Sequence, residues 1–191
     1  TRIVKLTRAD YALRDDKQWL ECLQGDYPNT MIVPEGGGGE LGQLGCEHII
    51  EHVLHRCDQA PSHIVTAVGT GTTAKGLLQV LAKHSPATQL VCVPVIKGAV
   101  DLERELRAEP NAGQLVWLDD AHCGGYAKVS DQLREFMQRF KSKAGIPIEP
   151  VYSAKTFLAI ARYLPMCGSH NSNIVVLHTG GLQGNRGFKR T

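Results

Sequence analysis

Short runs of apolar residues, many of them β-branched, recur along this chain between segments with helical spacing. They predict five strands, over residues 30–33, 63–68, 89–96, 114–118 and 173–178. A further run over residues 2–6 predicts one more strand near the start of the chain. Because the apolar positions are continuous rather than alternating, we expect strands that are buried on both faces, as in a parallel sheet.

Two segments between these runs have the spacing of an amphipathic helix. In residues 130–143 the apolar stripe is formed by Leu133, Phe136, Met137 and Phe140. In residues 40–57 a similar stripe is formed by Leu41, Leu44, Ile49, Val53 and Leu54. The alternation of strands and helices predicts an α/β fold with an open, mostly parallel, doubly wound sheet.

In such a sheet, ligands bind beyond the carboxyl ends of the strands. The most informative turn at such a position reads Gly69-Thr70-Gly71-Thr72-Thr73-Ala74-Lys75-Gly76. Its glycines let backbone amides approach an anion, and its threonine hydroxyls add donors beside a helix N-terminus. The turn therefore predicts a phosphate-binding loop, with a plain strand-to-helix turn capped by threonine as the structural alternative.

The spacing of these glycines argues against a nucleotide site. The dinucleotide fingerprint needs glycine where Ala74 stands, and a P-loop needs lysine where Leu77 follows Gly76. A second glycine run, at residues 36–39, also follows a predicted strand and precedes a helix. It could line the same cleft, although a flexible surface turn explains it equally well.

Composition narrows the classes of protein. The 191 residues are 42% hydrophobic and 21% charged, which fits one globular domain or slightly more. The net charge of +2 arises from 21 basic and 19 acidic residues spread along the chain, so we expect neither a nucleic-acid nor a membrane partner. Without a signal-peptide pattern, and with six irregularly spaced cysteines, the chain is expected to be cytoplasmic with reduced, mostly buried thiols.

Histidines on one predicted helix are candidate metal ligands. His48 and His52 are four residues apart, with Glu51 between them. A third ligand at a recognisable distance is missing, and neither His122 nor His170 supports a metal site. We therefore expect no metal and assign these side chains to a solvated helix face.

Four ordered motifs carry a resemblance to a known family. They lie at residues 34–45, 69–76, 150–155 and 178–181. From about Thr30 onwards the chain resembles the pyridoxal-phosphate (PLP) enzymes of the 1-aminocyclopropane-1-carboxylate deaminase and D-cysteine desulfhydrase group, which have the tryptophan-synthase-β fold, called fold type II. The resemblance implies PLP as cofactor, a small amino acid as substrate and a homodimer. It also implies a PLP-phosphate-binding large domain over residues 30–191 and a remnant of the small domain over residues 1–29.

The same resemblance implies roles for individual residues. The cofactor phosphate would be held by Gly69, Thr70, Gly71, Thr72 and Thr73. Ser153 would face the pyridine nitrogen, while Tyr126 and Tyr152 would approach the substrate. A phenol can donate to a carboxylate or relay a proton, although a half-buried tyrosine with a satisfied hydroxyl is the structural alternative.

Ser153 decides which reaction we expect. The cyclopropane deaminases have a glutamate at this position, and a carboxylate keeps the pyridine nitrogen protonated, whereas a neutral hydroxyl does not. Serine therefore favours α,β-elimination, as in a D-cysteine desulfhydrase that releases pyruvate, ammonia and sulfide. The alternative reaction is that of a 1-aminocyclopropane-1-carboxylate deaminase.

The lysine that binds the cofactor as a Schiff base lies in an Asn-Lys motif in this family, and the sequence has no such dipeptide. Lys97 lies near a predicted strand end and Lys155 in the motif at residues 150–155, but neither is in the expected context, and Lys75 is expected to point to solvent. We therefore expect an N-terminal segment with the lysine to be missing from this chain. A catalytically degenerate domain that binds a phosphate ligand is the alternative, and a nucleotide-binding domain is a third hypothesis.

Overall fold

A computed structural model describes residues 3–166 and 172–188. Its sheet is formed by the strands β1 His63–Val68, β2 Gln89–Pro94, β3 Leu115–Trp117 and β4 Ile174–Val176. The strands lie in the order β3-β2-β1-β4, and each neighbouring pair is parallel. The predicted open, parallel sheet is confirmed, with β1 and β2 paired along their whole length from His63↔Gln89 to Val68↔Pro94.

The α-helices of the described residues are α1 Arg8–Ala12, α2 Lys17–Asp26, α3 Glu40–Leu44, α4 Glu47–Arg56, α5 Thr72–His84, α6 Val100–Arg107, α7 Asp131–Ala144 and α8 Ser153–Tyr163. Short 3-10 helices lie at Glu35–Gly37, Ala112–Gln114 and Leu182–Phe188. Among the described helices, none has the length and apolar character that crossing a bilayer requires. The predicted helix over residues 130–143 corresponds to α7, which Ser130 caps by accepting a hydrogen bond from the N–H of Leu133.

Helices cover both faces of the sheet. On one face, side chains of α4, α5 and α6 pack against strand residues such as Ile64 and Leu90. On the other face, Ala159 and Ile160 of α8 pack against residues such as Val65, and α7 packs on α8. The central strands are therefore buried on both faces, which explains their continuous apolar runs.

The order of the strands indicates where in this fold a ligand would bind. From β1 the chain crosses through α5 to β2 and through α6 to β3 on one side. It then passes through α7 and α8 and returns on the other side of β1 as β4. The connections that follow β1 and β4 diverge, and a crevice opens between their carboxyl ends, which is where open α/β sheets bind ligands.

Two of the predicted strands are wrong. Residues 30–33 are irregular and leave Met31 and Val33 exposed, and the described part of the run over residues 2–6 is irregular too. A strand needs a neighbour that pairs with its backbone groups, and no strand of the described residues lies beside either run. Apolar, β-branched composition was therefore an insufficient signal at these positions.

The single helix that was predicted over residues 40–57 is also wrong, because it divides into α3 and α4. The turn between them lies against Gly76 of α5, where a Cβ would come within 2.6 Å of the Gln43 carbonyl oxygen. The break changes the buried face, so that Ile50 and Val53 are buried while Leu41 and Leu44 are exposed. Only the second half of the predicted apolar stripe faces the core.

The five cysteines in the described residues are free thiols, but only Cys46 and Cys92 are buried. Burial raises the pKa of both thiols. Cys22 is exposed, so the prediction of mostly buried thiols is wrong for this residue. Cys167 lies outside the described residues.

Candidate functional site

A cavity of about 270 Å³ lies beyond the carboxyl end of β1. Its lining comes from the end of β1, from residues 69–74 and from three distant segments that contribute Glu35, Gly36, Tyr152 and Thr179. These segments are the four motifs that carried the family resemblance. The structure therefore brings them together at one place, at the divergence of the β1 and β4 connections.

The loop after β1 leads directly into the N-terminus of α5. Gly71 precedes the first turn of α5 with a left-handed φ of 89°, and among the described residues no side chain caps this helix. The first N–H groups of α5 therefore remain open to an anion, and the helix dipole favours a negative charge there. Glycine is favoured at residue 71, because φ is positive there and a Cβ would come within 2.5 Å of the Leu102 side chain, which would have to shift.

The second glycine run covers this loop. Gly36 has a φ of 66°, and a Cβ on it would overlap the side chain of Thr70. The hydroxyl oxygens of Thr70 and Thr72 lie 3.5 Å apart, so two donors converge beside the same backbone turn. The close approach of Gly36 to Thr70 gives the glycine run a packing reason, which a flexible surface turn would not require.

The charge of the cavity comes from one carboxylate. Glu35 is the charged residue among those that line the cavity. Its carboxylate accepts a hydrogen bond of 2.6 Å from the Tyr11 hydroxyl and pairs with Arg14 at 3.0 Å. Lys75, which was expected to point to solvent, has a side chain that is 41% exposed, and its ammonium group pairs with Glu109 at 2.7 Å. An anion in this cavity would therefore depend on neutral donors and the helix dipole.

Tyr152 and Tyr126 form a pair at the edge of the cavity. The Tyr152 hydroxyl donates to that of Tyr126 over 3.4 Å, and the rings meet edge to face with centroids 6.0 Å apart. The ring of Tyr152 also lies against Gly69. Burial, followed by the contact with Tyr126, raises the pKa of Tyr152, so this hydroxyl remains protonated at neutral pH. Tyr126 is 57% exposed.

Ser153 begins α8 and is buried. Its oxygen accepts from the N–H of Glu149 at 2.8 Å, and its hydroxyl donates to the Glu149 carboxylate at 3.2 Å. Ser153 is not among the residues that line the cavity. Its role opposite a pyridine nitrogen stays a prediction, as do the roles of the two tyrosines and of residues 69–73.

Glu149 was not considered from the sequence, and it organises the start of α8. This buried carboxylate accepts hydrogen bonds from the N–H groups of Val151, Tyr152 and Ser153, at 2.7, 2.7 and 2.6 Å. Negative charge at a helix N-terminus is favoured by the unpaired N–H groups and the dipole. The available signal in the sequence was an acidic residue directly before the motif at residues 150–155.

The positions of Thr179, in the lining of the cavity, and of Lys155, in the core behind it, were also not predicted. Thr179 lines the cavity from the segment that follows β4, within the motif at residues 178–181. Lys155 is fully buried, and its ammonium group donates to the backbone carbonyls of Val95 and Gly125. No periodicity or motif in the sequence indicates such a buried lysine.

The histidines of α4 lie on its exposed side. His48 pairs with Glu51 at 3.2 Å, and His52 is exposed. Within residues 3–166 and 172–188, no group of three or more His, Cys, Asp or Glu side chains is arranged to hold a metal ion. His170 lies outside the described residues.

Comparisons with known proteins agree with this geometry. The family described as "Pyridoxal-phosphate dependent enzyme" matches residues 3–180. The chain is 28% identical over 165 residues to a Thermotoga maritima protein named "Putative 1-aminocyclopropane-1-carboxylate deaminase", covering 80% of this chain and 52% of that protein. The chain therefore spans about half the length of this relative.

Solved structures show the same fold. A crystal structure described as an ACC deaminase homologue matches 96% of this chain and 59% of its own, with a TM-score of 0.75 and 21% identity. Maize serine racemase matches 91% of this chain and 61% of its own, with a TM-score of 0.53 and 11% identity. The predicted fold type II architecture is thereby confirmed, and the chain belongs to the family of pyridoxal-phosphate-dependent enzymes.

Proposed function

We propose that this chain is the part of a PLP-dependent lyase that binds the cofactor phosphate, and that the intact enzyme deaminates a small amino acid by α,β-elimination. The cavity supports this proposal, because all four motif segments meet there around a loop of neutral hydrogen-bond donors. With a D-cysteine desulfhydrase-like substrate, cysteine and water would give pyruvate, ammonia and hydrogen sulfide.

The residues of the cavity fit a phosphate ester. The phosphate would be held by Gly69, Thr70, Gly71, Thr72 and Thr73, which offer three hydroxyl groups and the N–H groups at the start of α5. The backbone approaches closely because Gly71 and Gly36 lack a Cβ. A side chain at either position would collide with its neighbour and narrow the space for a ligand.

PLP, when bound, withdraws electrons from the α-carbon of an attached amino acid. Tyr152 is well placed to act on such a ligand, since it lines the cavity and its raised pKa keeps the hydroxyl protonated. We expect this hydroxyl to donate a hydrogen bond to the carboxylate of the amino acid rather than to act as a base. Tyr126 would act with it from the edge of the cavity.

Ser153 supports elimination over ring opening. Its hydroxyl is neutral and donates to Glu149, so it would not keep a pyridine nitrogen protonated. The alternative, a 1-aminocyclopropane-1-carboxylate deaminase, is favoured by the names of the Thermotoga maritima relative and of the crystallised homologue.

A domain that binds a phosphate ligand without catalysis is the second class of function. It is favoured by the lysines of the chain, because none lies in an Asn-Lys motif. Lys155 is bonded to backbone carbonyls and Lys75 to Glu109, so neither is directed to the cavity. Under this hypothesis residues 69–73 would bind the phosphate group, but no reaction would follow.

Titration with pyridoxamine 5′-phosphate tests phosphate binding by residues 69–73 alone, because this amine form of the cofactor needs no lysine to bind. We expect saturable binding by this chain, weakened roughly 10-fold by Thr72→Val through lost hydrogen bonds to the phosphate. Thr30→Val, which changes an exposed threonine outside the cavity, is the matched control and should leave the affinity unchanged. Lack of saturable binding by the unchanged chain would contradict the proposal.

Product analysis on the longest protein that the gene encodes separates the reactions. Pyruvate and sulfide from D-cysteine or L-cysteine would support elimination. Rapid turnover of 1-aminocyclopropane-1-carboxylate would instead show that the enzyme catalyses ring opening and not the proposed elimination. Binding of pyridoxamine 5′-phosphate with turnover of neither substrate would favour the domain without catalysis.

Three further expectations remain proposals. They are the homodimer, the cytoplasmic location and the division of the chain into residues 1–29 and 30–191. The first is tested by sedimentation at several protein concentrations, since a dimer dissociates on dilution while a monomer does not change.

A further inference from the structure

The turn between β3 and α7 has an unusual backbone. Cys123, Gly124, Gly125 and Ala127 all have positive φ angles, of 55°, 93°, 131° and 53°. Residues other than glycine rarely adopt this conformation, and it persists only where the surrounding structure holds it. Tyr126, the outer member of the tyrosine pair, lies inside this turn.

Hydrogen bonds within the turn hold part of it. The N–H of Gly124 donates to the His122 ring at 2.9 Å, and the N–H of Gly125 donates to the His122 carbonyl at 3.0 Å. The Gly125 carbonyl accepts from the N–H of Lys128 at 3.1 Å. These bonds close the turn on itself but do not fix it relative to the cavity.

Lys155 connects the turn to β2 by hydrogen bonds, while Cys123 packs against residues of α7 and α8. Its ammonium group donates to the Gly125 carbonyl at 2.7 Å and to the Val95 carbonyl, just after β2, at 3.2 Å. Lys155 lies in the first turn of α8 and is fully buried. Burial lowers the pKa of Lys155, while Cys123 and Glu149 nearby oppose this effect. A cation in such a place is unfavourable unless its donors are engaged.

The N-terminal end of α8 and the residue before it therefore contact the same turn at two places. Inside the protein, Lys155 binds the carbonyl of Gly125. At the cavity edge, Tyr152 binds the hydroxyl of Tyr126, the residue that follows Gly125. Tyr152, just before α8, and Lys155, in its first turn, are three residues apart, and their partners are adjacent in the turn, so the inner contact constrains the outer one.

We propose that Lys155 is a positioning residue for Tyr126: by holding the Gly125 carbonyl, it places the Tyr126 hydroxyl against that of Tyr152. The consequence for a ligand rests on the proposed function, in which both tyrosines approach an amino acid. Lys155 itself acts through the backbone, because its donors are directed at the two carbonyls and it is not among the cavity-lining residues.

Fluorine NMR of the chain labelled with 3-fluorotyrosine tests this placement without any cofactor. In Lys155→Met, which removes both donors but keeps an unbranched stem, the signals of Tyr126 and Tyr152 are expected to shift while those of Tyr11 and Tyr27 stay in place. Tyr126→Phe assigns the signals, and Lys155→Arg, which keeps charged donors, should restore the Tyr126 and Tyr152 signals at least in part. Unchanged Tyr126 and Tyr152 signals in a folded Lys155→Met would overturn the proposal.

A second variant covers the case in which Lys155→Met does not fold. Lys155→Gln keeps a donor on a shorter stem that cannot span both carbonyls, and the same two signals should shift. If they remain where they are in the unchanged chain, the proposal is wrong.

Binding of pyridoxamine 5′-phosphate separates this inference from the proposed function. Because the donors of Lys155 are directed at the Val95 and Gly125 carbonyls and not at residues 69–73, Lys155→Met should keep the affinity within about 2-fold while the tyrosine signals move. A large loss of affinity for pyridoxamine 5′-phosphate with unmoved tyrosine signals would mean that Lys155 supports the phosphate-binding residues 69–73, and it would overturn the positioning role. Failure of the unchanged chain to bind this probe would contradict the proposed function, whereas the NMR result would still decide the role of Lys155.

Discussion

Residues 3–45 and residues 46–160 are held together in different ways. The first region contains α1, α2 and α3, and none of its residues is buried. In the second region α5 alone buries six residues and α8 buries seven. Helices of the first region thus form without a core of their own, whereas those of the second are stabilised by packing on the sheet.

Local contacts stabilise α1 and α2 of the first region, whereas α3 packs against α5. Thr7 and Asp10 form a capping box at α1, and Asp16 caps α2 by accepting from the N–H of Trp19 at 2.9 Å. Such caps contribute about 1 kcal/mol each, and exposed ion pairs such as Arg14–Glu35 contribute less. The first region is therefore expected to have little stability of its own.

The cavity joins the two regions. Glu35 and Gly36 come from the first region, and all other residues that line the cavity come from the second or from the segment after β4. A region without a core thus covers a loop that the sheet holds firmly. Regions that cover ligand sites are often of low local stability, because binding requires them to move.

Hydrogen exchange gives the largest expected contrast between the regions. Amides of β1 and β2 should exchange only through global unfolding, with protection near the full stability of about 5–15 kcal/mol that is typical of domains. Amides of α1 and α2 should show protection of no more than about 2 kcal/mol. Mass spectrometry of exchanged peptides measures both, and equal protection would refute the contrast.

A matched pair of leucines tests packing in each region. Leu77 of α5 is fully buried, whereas Leu41 of α3 is 76% exposed. Leu77→Ala should lower the free energy of unfolding by about 2–5 kcal/mol, and Leu41→Ala should change it by less than about 0.5 kcal/mol. Urea unfolding followed by circular dichroism measures both values. Similar losses would mean that α3 packs against more than these contacts indicate.

A matched pair of glycines tests the junction at the cavity. Gly36→Ala should push the glycine run at residues 36–39 away from Thr70, because the new Cβ overlaps the Thr70 side chain and φ at residue 36 is positive. Gly38 has a φ of −53°, and a Cβ there would be in ordinary contact at 3.4 Å with Pro34. We expect Gly36→Ala to weaken binding of pyridoxamine 5′-phosphate roughly 10-fold, and Gly38→Ala to leave it within about 2-fold. Equal effects would contradict a specific contact.

The smallest expected effect concerns the contact between α1 and the glycine run. The hydrogen bond to Glu35 raises the pKa of Tyr11. A raised folded-state pKa means that this contact stabilises the protein fully below the ordinary tyrosine value of about 10, and that the contribution is lost as pH rises through the folded value.

Spectrophotometric titration of tyrosine tests the same contact directly. Glu35→Gln should return the pKa of Tyr11 towards about 10. Glu40→Gln, which removes another exposed carboxylate of the first region, should leave the pKa of Tyr11 unchanged. If both variants behave alike, the shift arises from general charge and not from the hydrogen bond.

The sequence predicted the second region better than the first. The four strands of the sheet and α7 correspond closely to the apolar patterns at residues 63–68, 89–96, 114–118, 173–178 and 130–143. The apolar patterns at residues 2–6 and 30–33 predicted strands that the described residues there do not form. β propensity is a local property, whereas a strand needs a pairing partner that lies elsewhere in the chain.

By itself, the sequence determined the parallel α/β sheet, the glycine- and threonine-rich turn between β1 and α5 at residues 69–76, and the family. Each depends on periodicity or motif spacing, which can be read along the chain. Only the tertiary structure decided that Glu149 is buried at the start of α8 and that Lys155 reaches carbonyls 30 and 60 residues away in sequence. A charged side chain is ordinarily exposed, and its burial becomes favourable only when distant backbone groups converge on it, which no local pattern encodes.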